Sequence, residues 1–414
     1  MWTPRIPENL RKEVLDLIEN NPERKYYSQR MDRNINGCPS VTKGENSKNM
    51  KEELEERLDK YCEKLGMDIA FSEDDELIKE TQDNIELIKK ALNLYHKDRD
   101  KATDQIGIIL NKYVDDQFFV TELGRCYGMR GMAYYDELHD PTTDYEESKD
   151  HPLTLYRARI SNHKLCKRED MLHRPFKKNE KICAKQRFIC EGMPALYLAT
   201  TSYACWLELG KPENDFYVSS FIPNNKGERL KVLNMVVTQD MINGFYNEVM
   251  DKDDLRRKEI QNKMISFFPL VIATSFKYSE GNKEEYIIPE LVMRCLRRFN
   301  IDGIIYLSKN LEHDIQLHSV INVVLPIYKD QLQDEYGKIT RFFKISKPEL
   351  FMPQSNKYET ARIGSFFNDN FHENKQQSSY EPTITIEDQE MIYGETVFCH
   401  FDNYLCELDH AYIG

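Results

Sequence analysis

Long apolar runs are missing from this 414-residue chain. Although 40% of its residues are hydrophobic, no stretch approaches the roughly 18 to 20 consecutive apolar residues that a membrane-spanning helix needs. The opening residues MWTPRIPENLRKEVLDLIENN read as a charged amphipathic helix and lack the apolar core of a signal peptide, so a cytoplasmic protein with no membrane partner is expected. Cysteine is scarce, with ten in irregular positions, which excludes a disulfide scaffold and fits thiols kept reduced. A general excess of positive charge is absent too. The net charge of −13 argues against a surface that wraps nucleic acid, because backbone phosphates are held mainly through Lys and Arg. There is no Gly-rich phosphate loop followed by Lys, no G-x-S-x-G and no H-E-x-x-H, so nucleoside triphosphate hydrolysis and serine-hydrolase chemistry lose most of their support. No internal repeat of about 20 to 50 residues is present.

The charge that is there is unevenly divided. Residues 1–150 carry −11 and residues 351–414 carry −8, which leaves +6 on residues 151–350. A basic module between acidic flanks points to a small anionic ligand, such as a phosphate ester, more than to a polymer. The length exceeds one ordinary domain. The acidic first part reads as helical: Leu10, Val14, Leu17 and Ile18 form one apolar face, Leu54, Leu58, Tyr61 and Leu65 another, and Leu77, Ile85, Leu87, Ile88 and Leu92 a third. Ser72 followed by Glu73, Asp74 and Asp75 resembles a helix start. The loop-like DPTTDYEESKDHP, residues 140–152, marks a boundary, after which short apolar runs alternate with helical stretches. An α+β protein is expected: a helical bundle over residues 1–145, an α+β module over 150–350, and an acidic extension over 351–414 that ends in the alternating TITIED and ETVFCHF.

Two motifs are set aside. Cys399, His400, Cys406 and His410 have zinc-ligand chemistry without paired C-x-x-C spacing, so packed thiols and surface imidazoles are the expectation and no metal is assigned. Arg168 and His173 form an R-x4-H pair in a polar loop, read as coincidence. Within the basic module stands an ordered set: Arg157 in LYRAR, Arg187 in KQRF, Tyr197 in PALYLAT, Glu208 in SYACWLEL and Ser308 in DGIIYLS. Each alone has an ordinary structural explanation, as a salt bridge, a core ring or a solvated carboxylate.

Taken together, and in that order, these segments resemble the RES domain over roughly residues 150–330, with Arg157, Glu208 and Ser308 as the name-giving residues and Arg187 and Tyr197 as further pocket residues. The acidic helical part is similar, through helicity and position, to the HEPN/RES N-terminal type that precedes some such modules. Phe188 and Ile189 stand where the family usually has Trp-Asn, and Arg159 competes with Arg157 on the same side of a strand. The resemblance implies an ADP-ribosyltransferase-like fold and a toxin-type enzyme that consumes NAD+ at the nicotinamide–ribose bond. It implies that NAD is the substrate, and that an antitoxin or regulatory protein restrains it. Within that chemistry Arg157 and Arg187 would grip the pyrophosphate, Glu208 would stabilise an oxocarbenium-like ribose, Tyr197 would stack on nicotinamide and Ser308 would bond an oxygen. The acceptor stays open between water, phosphate and a protein or nucleotide, as does a non-catalytic NAD-binding role. The helical part is expected to regulate, sense or dimerise. Cys190 and Cys205, close to these motifs, are expected to be packing thiols.

Overall fold

The computed structural model of the protein describes residues 49–67, 73–126, 153–173, 193–238, 255–278, 283–308, 320–328, 337–353, 356–358, 383–386 and 389–413, with Met129, Arg187, Phe188, Cys190 and Ile242. The apolar face at residues 10–18, Ser72 and the boundary at residues 140–152 lie outside the described residues.

Three helices come first: α1 (Met50–Met67), α2 (Asp75–Leu94) and α3 (Arg99–Leu110). Their buried faces repeat at helical spacing, and Leu54, Leu58, Tyr61 and Leu65 of α1 all point inward, as do Leu77, Ile85, Ile88 and Leu92 of α2. The cap of α2 is Asp74, whose carboxylate accepts the Leu77 N–H at 3.0 Å. That is two residues beyond the Ser72 start read from sequence.

A ten-stranded mixed sheet follows, in the order β1 (Val120–Glu122), β5 (Lys231–Asn234), β6 (Gly303–Leu307), β7 (Ile321–Pro326), β3 (Ala195–Ala199), β2 (Leu155–Ile160), β4 (Phe216–Pro223), β8 (Phe343–Ser346) and β12 (His410–Ala411), with β9 (Glu349–Leu350) also paired to β4. Among the described strands, only β5 and β6 run parallel. Gly303 opens β6 because a side chain there would meet Val324 O at 2.7 Å and Leu325 Cδ2 at 2.5 Å. The fold class is therefore α+β, as the periodicities indicate. Both faces of the central strands are covered, which is why they read as continuous apolar runs: Ile304, Tyr306 and Val324 join one core, and Ile305, Ile321 and Val323 join the other.

One pairing in this sheet is nearly absent. β2 and β3 meet through a single residue pair, Tyr156 with Ala199, whereas β2 pairs with β4 over six residues and β3 with β7 over five. The sheet is thus split between β2 and β3. Helix α4 (Ser202–Glu208) lies against β2 and β3, and α7 (Val397–Glu407) packs on α4. The segment ETVFCHF, read as alternating, is helical: Thr396 caps α7 by accepting the Cys399 N–H, and Phe398, Phe401, Asp402 and Leu405 recur on one buried face. A hairpin of β10 (Thr383–Ile386) and β11 (Gln389–Ile392) precedes it.

The N-terminal helices are not isolated from the sheet. They share one core with α5 (Leu255–Ser275) and α6 (Ile287–Leu296), both of which follow the expected boundary. The join has a local cause. Pro269 inside α5 has no N–H for the Ile265 carbonyl. The Tyr61 hydroxyl of α1 donates to that carbonyl at 3.0 Å, and Asn84 of α2 donates to the neighbouring Ser266 carbonyl at 2.8 Å and to the Tyr113 hydroxyl at 2.9 Å. Among the described residues no helix is long and apolar enough to cross a membrane. Removing the hydroxyl in Tyr61→Phe strands a buried carbonyl and should lower the unfolding free energy by about 1 to 3 kcal/mol, read by urea denaturation.

Candidate active site

The sequence set converges on the split in the sheet. Arg157 leaves β2 and its Nη1 donates to the Tyr197 main-chain carbonyl on β3 at 2.8 Å, bridging the gap where strand pairing fails. Its Nε is buried with no acceptor among the described residues, and burial, helped by the neighbouring Arg159, pushes the guanidinium down to about 9. It remains cationic at neutral pH. Arg159 points to the loop after β2 and donates to the Leu172 carbonyl. Of the two arginines left open by the sequence, Arg157 is the one that spans to β3.

Tyr197 donates its hydroxyl to the Arg187 carbonyl at 2.9 Å, so β3 fixes the backbone of the next arginine. Arg187 is only 5% exposed. Its Nη2 reaches the Phe276 carbonyl, just past α5, at 3.2 Å, whereas Nε and Nη1 are buried without an acceptor among the described residues. The guanidinium carbon sits 5.9 Å from the Tyr286 ring centroid. Burial holds the Arg187 guanidinium below its ordinary value, while Tyr306, Glu285, Tyr286 and Glu208 act in the opposite sense. Phe188 has a positive φ of 59° and packs its ring 4.8 Å from that of Tyr306.

Glu208 ends α4 and is exposed, as the terminal residue of a short amphipathic helix should be. Its Oε1 accepts two hydrogen bonds, from Ser308 Oγ at 2.5 Å and from Asn322 Nδ2 at 2.8 Å. Both donors come from buried positions, Ser308 just after β6 and Asn322 on β7, which is paired with Ala199 of β3. Two donors on one oxygen fix the rotamer of the carboxylate. No hydrogen bond to Oε2 is made among the described residues. Tyr306, opposite Asn322 in the β6–β7 ladder, is pushed well above the usual tyrosine range by burial and by the charge of Glu208.

Sequence reading missed Asn322. The signal was present: a lone amide inside the apolar run SVINVVLPIY has to find a partner when buried. Of the residues set aside, Arg168 and His410 have structural partners. Arg168 donates to the Ile345 carbonyl at 2.6 Å and pairs with Asp409 at 2.8 Å; His410 Nε2 meets Ser220 Oγ at 2.8 Å. Among the described residues no three His, Cys, Asp or Glu side chains converge as metal ligands would. The Cys205 thiol donates to the Tyr156 carbonyl at 3.4 Å and burial pushes it up; burial also pushes Cys190 up to about 12. Neither supplies a thiolate at neutral pH.

Comparison with known proteins adds one relative. Over 224 residues the chain is 27% identical to the "Putative toxin YopC" of Bacillus subtilis strain 168, a stretch that covers 51% of this chain and 50% of that protein. The chain thus spans about half the length of the curated relative it matches. No family model matches the sequence, and no solved structure does.

An unfilled buried guanidinium destabilises the fold that carries it. Arg187→Met, similar in volume and uncharged, should therefore raise the unfolding free energy by about 1 to 3 kcal/mol in urea denaturation. Lower stability would mean that the open donors are satisfied within the protein.

Proposed function

We propose that this protein is a toxin-type enzyme of the RES kind that cleaves the N-glycosidic bond between nicotinamide and ribose in NAD+. One observation carries the reading: a carboxylate with one oxygen saturated by Ser308 and Asn322 lies within electrostatic reach of a buried guanidinium with two donors that meet no acceptor among the described residues. NAD+ offers the complement of both. Its pyrophosphate suits the Arg187 fork, since a guanidinium grips two phosphate oxygens through parallel N–H groups. Its scissile bond joins a cationic ring to a ribose carbon on which positive charge grows as the bond breaks.

As the C–N bond lengthens, its electron pair passes to the nicotinamide nitrogen, which leaves as a neutral ring. No proton has to be delivered to that ring, so the lack of a histidine in the set fits. The Glu208 carboxylate faces the oxocarbenium-like carbon and stabilises it more than the ground state, which is the differential interaction that accelerates the step. Ser308 and Asn322 hold the carboxylate oriented through that change. Arg157 ties β2 to the Tyr197 carbonyl and keeps the split at a fixed width. Water, or inorganic phosphate, then attacks the ribose carbon from the open side, and a proton is lost to solvent.

The toxin character rests on the likeness to the Bacillus protein and on the RES resemblance. An enzyme that drains NAD+ harms the cell that makes it, which accounts for the expectation of an antitoxin or other restraint. Chromatography of NAD+ incubated with purified protein tests the reading. Wild type should release nicotinamide, and Glu208→Gln should lose about 100-fold or more in kcat. Arg187→Ala should act mainly through KM. Unchanged turnover in Glu208→Gln would reject the assignment. Label from NAD+ appearing on protein or nucleotide would identify the acceptor as a macromolecule, and binding without turnover in wild type would identify a non-catalytic protein.

A further inference from the structure

Glu208 is held at one end of a seven-residue helix, and the other end of that helix is fixed by the C-terminal segment. Asp402, on α7, is completely buried. Its two carboxylate oxygens lie 3.1 and 3.2 Å from the Ser202 N–H, the first residue of α4, and Oδ2 also accepts the Tyr393 hydroxyl at 2.5 Å. Thr201 caps the same turn by accepting the Ala204 N–H at 3.0 Å. Further along α4, the Trp206 and Tyr203 rings each lie 5.4 Å from the Phe398 ring of α7, and Trp206 Nε1 donates to the Pro212 carbonyl at 3.0 Å. Helix α7 is itself tied to the sheet, where Ser220 of β4 donates to the Leu405 carbonyl at 2.9 Å and β12 pairs with β8.

We infer that Asp402 is a positioning residue for the proposed active site: supplied by the C-terminal segment, it fixes the first turn of α4 and so sets where the carboxylate of Glu208 stands. This rests on the reading of Glu208 given above. A helix of this length is about 10 Å long, and Thr201 and Asp402 together hold its first turn, so a tilt at Ser202 is carried to Glu208. A displacement of about 1 Å at a reacting group costs on the order of 100-fold in rate. Nothing in α7 touches the Arg187 pocket among the described contacts, so the effect should fall on turnover and not on substrate binding.

The same carboxyl gives the arrangement a signature. Around it stand Tyr393, Tyr156 from β2, Cys205 from α4 and Cys406 from α7, with the first three held neutral near pH 7 by burial, and among the described residues no cation is one of the groups acting on it. Burial pushes Asp402 up to about 7, while the bonds from Ser202 and Tyr393 pull the other way. In the unfolded chain the group ionises near its ordinary value of 3.8. Between about pH 4 and 7 the folded state therefore binds a proton that the unfolded state does not, and the stability this contributes is lost as pH rises through about 7. As a carboxylate Asp402 accepts from both partners; once protonated, one oxygen becomes a donor and the clamp on Ser202 slackens.

Trp206 reports this directly. The chain has two tryptophans, so Trp2→Phe leaves Trp206 as the only indole. In that background the emission of Trp206 should show a transition centred near neutral pH, and Asp402→Asn should abolish it. Tyr393→Phe, which keeps the carboxyl and removes one donor to it, should move the midpoint to higher pH. For nicotinamide release, Asp402→Asn should lower kcat about tenfold, with KM for NAD+ changed less than about twofold. A Trp206 transition that persists in Asp402→Asn, an unmoved midpoint in Tyr393→Phe, or wild-type kcat in Asp402→Asn would overturn the inference. Absence of nicotinamide release from wild type would count against the reading of Glu208, while the Trp206 titration would still decide whether Asp402 holds α4.

Discussion

Burying a guanidinium costs free energy, and much of the protein is arranged to hold Arg187 buried with two donors that meet no acceptor among the described residues. Its backbone is fixed by the Tyr197 hydroxyl and its Nη2 by the Phe276 carbonyl. Phe276 follows α5 directly, and the Arg57 guanidinium of α1 lies 4.8 Å from the Phe276 ring centroid. Helix α5 contains a proline that leaves the Ile265 carbonyl without a helical donor, and the Tyr61 hydroxyl of α1 donates to that carbonyl. The N-terminal helices therefore brace the segment that supplies the acceptor of Arg187.

The other half of the site is built by a different device. Glu208 is exposed, and what it needs is orientation. Two buried donors from neighbouring strands, Ser308 and Asn322, meet on one of its oxygens, and the α4–α7 packing sets the helix that carries it. The split between β2 and β3 gives room for both halves to face one another, with Arg157 spanning the gap by a side chain where main-chain pairing stops. An anion gripped by Arg187 and a cation stabilised by Glu208 would lie side by side in that opening. This is the charge order of a dinucleotide with a cationic base.

How much of this was legible in the sequence depends on range. Strands such as GIIYL and ALYLA and helices such as that of Leu54, Leu58, Tyr61 and Leu65 follow from periodicity, because their cores lie on one face or on both. Arg157, Arg187, Tyr197, Glu208 and Ser308 were visible as an ordered set. Asn322 and Asp402 were not, since each acts on a residue at least 100 positions away, and no local pattern records the pairing. Helix α7 was masked by residues that alternate in polarity over its first turns. Helix α5 carries a proline and mixed polarity, and its partners Tyr61 and Asn84 come from about 180 to 200 residues earlier. The shared core of α1 to α3 with α5 and α6 likewise rests on contacts that cross the loop-like stretch taken as a boundary.

The central claim is that Arg187 and Glu208 face two ends of one bound NAD+. A crystal structure of the Glu208→Gln protein, slowed in cleavage and soaked with NAD+, tests it most directly. The account predicts pyrophosphate oxygens within hydrogen-bond distance of Nε and Nη1 of Arg187, and the nicotinamide ribose beside the residue 208 side chain, next to Ser308 and Asn322. NAD+ bound elsewhere, or an Arg187 whose open donors stay unfilled in the presence of saturating ligand, would contradict it.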